Sequence, residues 1–454
     1  MTRRHLHFMG IGGVGMCGLA ELAHARGAVV SGCDLVVSDR TERLAGLGIE
    51  VRLGHDPAHL DGIDAVVYSA AVDASHGELE RARNEGIDVI RRAEMLGELV
   101  SKGRGIAVAG THGKTTTTAL VGHLLTEAGL DPTVLVGGHA RFAGSNARIG
   151  DGEHLVCEAD EYDRAFLELR GQVAVVTNLE PEHLDCYGTA EELEAAFSAF
   201  CNQTAADGCV ILCRDDAGAW SLVRRLQRRV VGYGFSAEAE LRAEGVRAET
   251  GGSCFGVTRN GEALGEVELP LLGRFNILNA LAAIAAGLEL GVSFPLLAGG
   301  CSSFTGVARR FDILGERNGT TVVDDYAHHP TEIEAVLSAA RQAFPDRRLV
   351  VVFQPHLYSR TREFAKRFAR ALLGAERVVV LPVYPAREAP IDGVDEGLVV
   401  DAARGFGHPS ITAGPEVELA SSTVEGIVEE GDVLLTLGAG DVHRVAEDWL
   451  GGAA

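Results

Sequence analysis

Short apolar runs, closed by glycine or charged residues, alternate along this chain with stretches of helical period. His5 to Met9 reads as a strand, Met16 to Arg26 as a helix and Ala28 to Cys33 as a second strand, together a βαβ unit. A further strand is expected over Asp64 to Ser69. The polar stretch Ser101-Lys102-Gly103-Arg104-Gly105 then ends the segment. The pattern restarts with a strand at Ile106 to Ala109, glycines, and a helix from Thr115 to Glu127. Leu155 to Cys157 and Val173 to Thr177 are apolar runs with polar ends, the form of buried parallel strands. Cys209 to Cys213 is another, the region from 228 to 270 reads as short antiparallel strands, and Asn276 to Leu290 as a helix. Beyond 307, strands are expected at Thr321 to Val323, Leu349 to Phe353, Val378 to Leu381 and Val433 to Leu437, separated by helices such as Thr331 to Ala343 and Arg362 to Leu373.

The fold class predicted is α/β, three units in series with boundaries near 102 and about 307. A net charge of -23 argues against nucleic acid, because cationic contacts to phosphate supply most of that affinity. A small anionic ligand stays compatible, since glycine loops bind phosphate locally. The nine cysteines show no CxxC pair and no zinc-ligand spacing, so they are read as reduced and mostly buried. No signal peptide or membrane span is expected, which points to the cytoplasm with no membrane partner.

Gly110-Thr111-His112-Gly113-Lys114-Thr115-Thr116-Thr117 supplies what a phosphate cradle needs: small residues that let backbone N–H groups converge, a lysine, and a hydroxyl for Mg²⁺. The strict G-x-x-x-x-G-K-[ST] spacing is not met, because Val108 stands five residues before Gly113. Gly10-Ile11-Gly12-Gly13-Val14-Gly15 fits GxGxxG, with Asp34 at the spacing of a ribose-binding acid. That motif alone would support an NAD-dependent dehydrogenase, the rival from another class. The segment is about half a dinucleotide-binding domain, however, and a diphosphate on the substrate accounts for both loops.

Glu158, Asp160 and Glu161 close one strand, and Asn178 to Asp185, with His183, close another, so both ends should lie beside the loop at 110. Asp324 to Pro330 and Gln354 to Arg362 add two ends rich in His, Tyr and Arg, suited to a second substrate or to transition-state charge.

Taken together, GIGGVGM at 10–16, GTHGKTTT at 110–117, EADEYD at 158–163, TNLEPEHLDCYG at 177–188, GRFNILNALAA at 273–283, ARRFD at 308–312, DDYAHHPTE at 324–332 and QPHLYSRT at 354–361 resemble the Mur ligase family. The resemblance covers the whole chain and implies three α/β domains: a Rossmann-like one over 1–102, a central P-loop ATPase-type domain with a mixed sheet over 103–306, and a second Rossmann-like domain over 307–454. It implies an ATP- and Mg²⁺-dependent ligase that extends a UDP-N-acetylmuramate precursor of the cell wall. By motif it assigns Gly10, Gly12, Gly13, Gly15 and Ser69 to the UDP-sugar. To ATP it assigns Gly110, Thr111, His112, Gly113, Lys114, Thr115, Thr116, Asn276, Asn279, Arg310 and Asp325. Thr115, Glu158 and His183 serve the metal, Tyr326, His328 and Arg360 the amino acid, and Lys114, His328 and Arg360 the catalysis. Members adding later amino acids carry a modified lysine after the metal histidine. Between Asp185 and Arg214 there is no lysine, which favours the type adding L-alanine to a lactyl carboxylate, as monomer or homodimer. A relative that recycles a whole tripeptide is the nearest alternative. Phe275 and Leu357 stand where members often have His or Arg, so neither is expected to make polar contacts.

Overall fold

A computed structural model describes residues 4–69, 71–73, 75–249, 251–386 and 388–451. Three sheets appear in chain order. The first holds β1 (His5–Met9), β2 (Val29–Asp34), β3 (Glu50–Leu53), β4 (Ala65–Tyr68) and β5 (Asp88–Arg91), in the order β3-β2-β1-β4-β5. All its pairings are parallel. The order reverses at β1, so the glycine turn after β1 and Ser69 after β4 share the carboxyl edge at the topological switch point.

The second sheet comprises β6 (Arg104–Ala109), β7 (Thr133–Ala140), β8 (Ser145–Arg148), β9 (His154–Glu158), β10 (Val173–Val176), β11 (Cys209–Cys213), β12 (Val230–Gly234), β13 (Leu241–Glu249), β14 (Gly252–Arg259) and β15 (Glu262–Leu269). Its order is β15-β14-β13-β12-β11-β10-β6-β9-β7-β8. It is mixed, since β7 pairs antiparallel with β8 but parallel with β9. The expectation of short antiparallel strands over 228–270 needs correcting. β12 pairs parallel with β11, and the three strands that follow are eight or nine residues long. Val230-Val231-Gly232-Tyr233 is an apolar run that continues the buried parallel core, and alternation begins only after it.

The third sheet, β16 (Asp312–Arg317), β17 (Thr320–Asp325), β18 (Leu349–Phe353), β19 (Arg377–Val380), β20 (Ile411–Ala413) and β21 (Val433–Leu437), runs β16-β17-β21-β18-β19-β20. It is parallel apart from the edge strand β16. Apolar clusters cover both of its faces, one around Ile333, Phe353 and Phe368, the other around Val352, Val442 and Trp449.

Packing divides the chain into two compact units. One holds 1–245, 255–268 and 278–305; the other holds 246–254, 269–277 and 306–454. Within the first, the domains expected at 1–102 and from 103 onward share one continuous core, which runs from Phe8 and Leu19 to Leu155, Phe166 and Phe197. The helix Val14–Ala25 is pinned against the second sheet: Asn146 Nδ2 donates to Val14 O at 2.7 Å, and Gly18 leaves room for Leu135 and Ala147. All nine cysteines are free, and all but Cys186 are buried. No helix among the described residues is long and apolar enough to cross a membrane.

Candidate active site

Strand β6 lies between β10 and β9, so the chain leaves the sheet for the loop at 110 with the residues after β9 and β10 on either side. The loop is fixed by its neighbours. Thr177 Oγ1 donates to His112 O at 2.5 Å, and Asn178 Nδ2 donates to the same oxygen at 3.0 Å. Asn178 Oδ1 accepts from His112 N at 2.7 Å, and Asn178 O accepts from Thr111 N at 3.2 Å. Thr111 Oγ1 in turn accepts from Glu180 N at 2.9 Å. Gly110 and Gly113 both take positive φ, at 134° and 81°. A Cβ on Gly110 would stand 2.1 Å from Thr177 Oγ1, so only glycine permits this approach.

The helix Lys114–Glu127 begins directly after Gly113, and its residues from Thr115 to Leu125 are buried. Four successive threonines are poor helix formers, so burial rather than propensity holds this helix. Its amino end points the unpaired N–H groups and the positive end of its dipole at the loop, as a phosphate site requires. Thr116 is buried in the first turn, and Asn279 lies beneath the loop. A Cβ on Gly113 would stand 2.6 Å from Asn279 Oδ1, which accepts from Thr117 Oγ1 at 3.2 Å. Asn279, assigned to ATP by the resemblance, thus packs directly against Gly113 of the loop.

Lys114 Nζ donates to Gly110 O at 2.5 Å and to both carboxylate oxygens of Glu161 at 2.8 Å. Glu161 is only 3 % exposed. Burial by itself would lower the Lys114 pKa, but Glu161, Asp160 and Glu158 outweigh it and hold the ammonium above its usual value. Burial raises Glu161, and Lys114 opposes that rise. His183, at φ 56°, brings Nε2 to 3.7 Å from Glu161 Oε1, with Tyr162 edge-on to its ring. Glu161, Glu182 and His183 offer ligand atoms within 4.8 Å of one another, with Thr115 in the adjoining first turn. Glu158 accepts a hydrogen bond from Gly137 N. Sequence reasoning left Glu161 without a role. It is one of four acids in a six-residue run, and only the left-handed turn at Asp163 and Arg164 reveals which one folds inward.

At the first sheet, Gly10 N and Ile11 N donate to Cys33 O at 2.8 and 3.0 Å. Gly12 N donates to Asp34 Oδ2 at 2.8 Å, and Arg40 Nε donates to Gly12 O at 2.5 Å. Asp34, placed like a ribose-binding acid, therefore secures the glycine turn itself. Gly13 caps the helix Val14–Ala25, and a Cβ on Gly15 would meet the Arg92 guanidinium at 2.8 Å. Ser69 Oγ accepts from Ala71 N at 3.3 Å.

In the second unit, Asp325 Oδ2 accepts from Phe311 N at 2.6 Å and Oδ1 from Ala327 N at 2.8 Å. Burial lifts its pKa to about 7 against the pull of Arg310. The guanidiniums of Arg309 and Arg310 stand 5.0 and 5.3 Å from the centre of the Tyr326 ring. His328 Nδ1 lies 3.0 Å from Tyr326 O and 3.3 Å from Glu332. Its ring meets those of Tyr326 and His356 at 5.4 and 5.9 Å. Arg360 sits half-buried in the first turn of the helix Tyr358–Ala371, entered through Leu357 at φ 69°. Asn276 Nδ2 donates to Leu272 O at 2.8 Å, and Phe275 packs on the apolar core.

Residues 5–104 match the model of the Mur ligase family catalytic domain, 108–287 that of the Mur ligase middle domain, and 309–440 that of the Mur ligase glutamate ligase domain. The chain is 48 % identical to a UDP-N-acetylmuramate–L-alanine ligase of Salinibacter ruber, over 98 % of this chain and 94 % of that one. It is similar to the solved UDP-N-acetylmuramate–alanine ligase of Thermotoga maritima at TM-score 0.84 and 30 % identity, covering 98 % of both chains. A murein peptide ligase of Psychrobacter arcticus follows at TM-score 0.72 and 25 % identity, covering 99 % of this chain and 98 % of that one. Three family models in chain order, a glycine loop locked between two strand ends and a full-length relative at 48 % identity agree: the chain belongs to the Mur ligase family.

Proposed function

We propose that this protein is a UDP-N-acetylmuramate–L-alanine ligase of the cytoplasm, monomeric or homodimeric, which uses ATP to join L-alanine to the lactyl carboxylate of UDP-N-acetylmuramate in peptidoglycan precursor synthesis. The carrying observation is the full-length similarity, at 48 % identity, to an enzyme of that name. A carboxylate is a poor acyl donor, so one of its oxygens first attacks the γ-phosphorus of ATP; the bridging P–O bond breaks and ADP leaves. The amine of L-alanine then attacks the acyl carbon, the C–O bond to phosphate breaks, and the amine proton passes to a base.

Gly10, Gly12, Gly13, Gly15 and Ser69 receive the UDP-sugar. The loop Gly110 to Thr116 receives the ATP phosphates, and Lys114 shifts from Glu161 to the transferred oxygens as charge builds there. Asn279 positions the loop from below, while Asn276, Arg310 and Asp325 serve the rest of the nucleotide. The oxygen-rich set around His183 fits Mg²⁺: Thr115, Glu158 and His183 would hold it, with Glu161 and Glu182 beside them. When bound, the ion neutralises phosphate charge. Tyr326 and Arg360 bind the amino acid, and His328, its Nδ1 oriented by Tyr326 O, takes the amine proton.

The test is phosphate release from ATP and UDP-N-acetylmuramate with L-alanine, glycine, L-serine or the murein tripeptide offered separately. Preference for L-alanine is expected. Preference for the tripeptide would move the chain to the murein peptide ligase type.

A further inference from the structure

The mechanism leaves unused a cluster below the glycine turn of the first sheet. Glu78, in the helix Gly77–Glu85, is fully buried. Its carboxylate accepts from Asp56 N at 3.0 Å and faces His55 Nδ1 at 3.2 Å and His59 Nδ1 at 3.1 Å. Cys33 Sγ lies 3.6 and 3.7 Å from the two carboxylate oxygens and 3.1 Å from His55 Nδ1. His7 completes the group from β1. It is fully buried, Nδ1 lies 3.0 Å from Ser31 Oγ, and Nε2 is buried with no hydrogen-bond partner. A nitrogen of His7, a nitrogen of His59, Cys33 Sγ and an oxygen of Glu78 all fall within 4.8 Å of one another.

Buried polar atoms are almost always paired, so an orphaned imidazole nitrogen beside a thiol, a carboxylate and a second imidazole is a donor set waiting for an acceptor. One thiolate, two imidazoles and one carboxylate suit zinc and its neighbours; magnesium and calcium take oxygen. We infer that His7, Cys33, His59 and Glu78 form a closed, four-ligand site for one zinc-class divalent ion. With the His7 Nδ1–H donating to Ser31 Oγ, Nε2 keeps its lone pair for the metal. Binding breaks the Cys33 S–H bond, forms a sulfur–metal bond and releases one proton to solvent. The thiolate and the Glu78 carboxylate then balance the dication. In the metal-free protein, burial and Glu78 hold the Cys33 thiol well above its usual pKa, so the ion itself ionises the sulfur. Tetrahedral bond lengths keep ligand atoms about 3.3–3.8 Å apart, so the four close inward by up to about 1 Å. His55, with its ring against His76, turns an N–H to the thiolate. Since Cys33 O also receives Gly10 N and Ile11 N, the ion would brace the strand that holds the UDP-sugar loop.

The test uses tag-free full-length protein. Elemental analysis after purification is expected to find about one zinc per chain. Replacing zinc with Co²⁺ should give a thiolate-to-cobalt charge-transfer band in the near ultraviolet. Cys33→Ser should abolish the band, and His59→Ala, which removes a direct ligand, should weaken Zn²⁺ binding by more than the roughly 10- to 100-fold that losing an outer-shell partner costs. Glu158→Ala, on the ATP side, should keep both metal and band. Absence of zinc together with absence of the cobalt band would overturn the site in favour of a buried hydrogen-bond network. Zinc retained equally in Cys33→Ser and His59→Ala would overturn it as an adventitious ion elsewhere.

Discussion

Replacing Gly113 with alanine probes how the loop at 110 is held, because two costs can be read from the geometry. At φ 81° an L residue pays about 1–2 kcal/mol for the left-handed backbone. The new Cβ would also lie 2.6 Å from Asn279 Oδ1, which must move away and give up its 3.2 Å hydrogen bond from Thr117, worth about 1 kcal/mol. Gly113→Ala should therefore cost about 2–3 kcal/mol. Asn279→Ala alone forfeits the same hydrogen bond from Thr117, about 1 kcal/mol. In the double variant the bond is already lost and the collision is gone, leaving the backbone cost plus the bond, about 2–3 kcal/mol again. The two changes should thus fall short of additivity by about 1 kcal/mol. Urea unfolding of the four proteins measures this coupling, and phosphate release reports whether the loop still works. Strict additivity would refute the placement of Asn279 beneath the loop.

Lys114→Met should abolish phosphate release and strand the buried Glu161 charge, at a cost of about 3 kcal/mol that shrinks as the pH falls and the carboxylate, already raised by burial, takes up a proton; adding Glu161→Gln should restore stability in urea unfolding but not turnover. Asp325 has a folded pKa of about 7 against a usual 3.8, so the folded state binds the extra proton between these values and stability falls as pH rises through that window. The drop reaches about 4 kcal/mol at about 1.36 kcal/mol per unit, and Asp325→Asn should remove it from unfolding curves taken from pH 4 to 7. Arg360→Ala should raise the KM for L-alanine at least about tenfold while moving that for ATP little, a loss of about 1.4 kcal/mol of substrate binding; initial rates against each substrate decide it.

Strands buried on both faces were legible residue by residue. His5–Met9, Cys209–Cys213, Leu349–Phe353 and Val433–Leu437 form as the apolar runs predict, because two covered faces leave few polar positions to confuse the pattern. Edge strands such as Glu50–Leu53, half-exposed and four residues long, carry no such signal. The loop at 110 and its flanking strand ends could be placed from sequence because topology alone brings them together. The inward turn of Glu161, the seat of Asn279 under Gly113 and the Glu78 cluster depend on backbone turns and on burial between elements distant in the chain, which no local pattern encodes.

The core shared by the first two sheets bears on how the reactants meet. The helix that leaves the glycine turn at Gly13 rests on β7 and β8, and the helix that leaves the loop at Gly113 packs on β7 as well. A fragment cut at residue 102 would lay bare Leu135 and Ala147 on one side and Leu19 on the other, so neither half should fold cleanly alone. The seats proposed for the carboxylate donor and for the phosphoryl donor are thus built into one solid body. Their spacing is set when the chain folds, and binding energy need not be spent on bringing the two together.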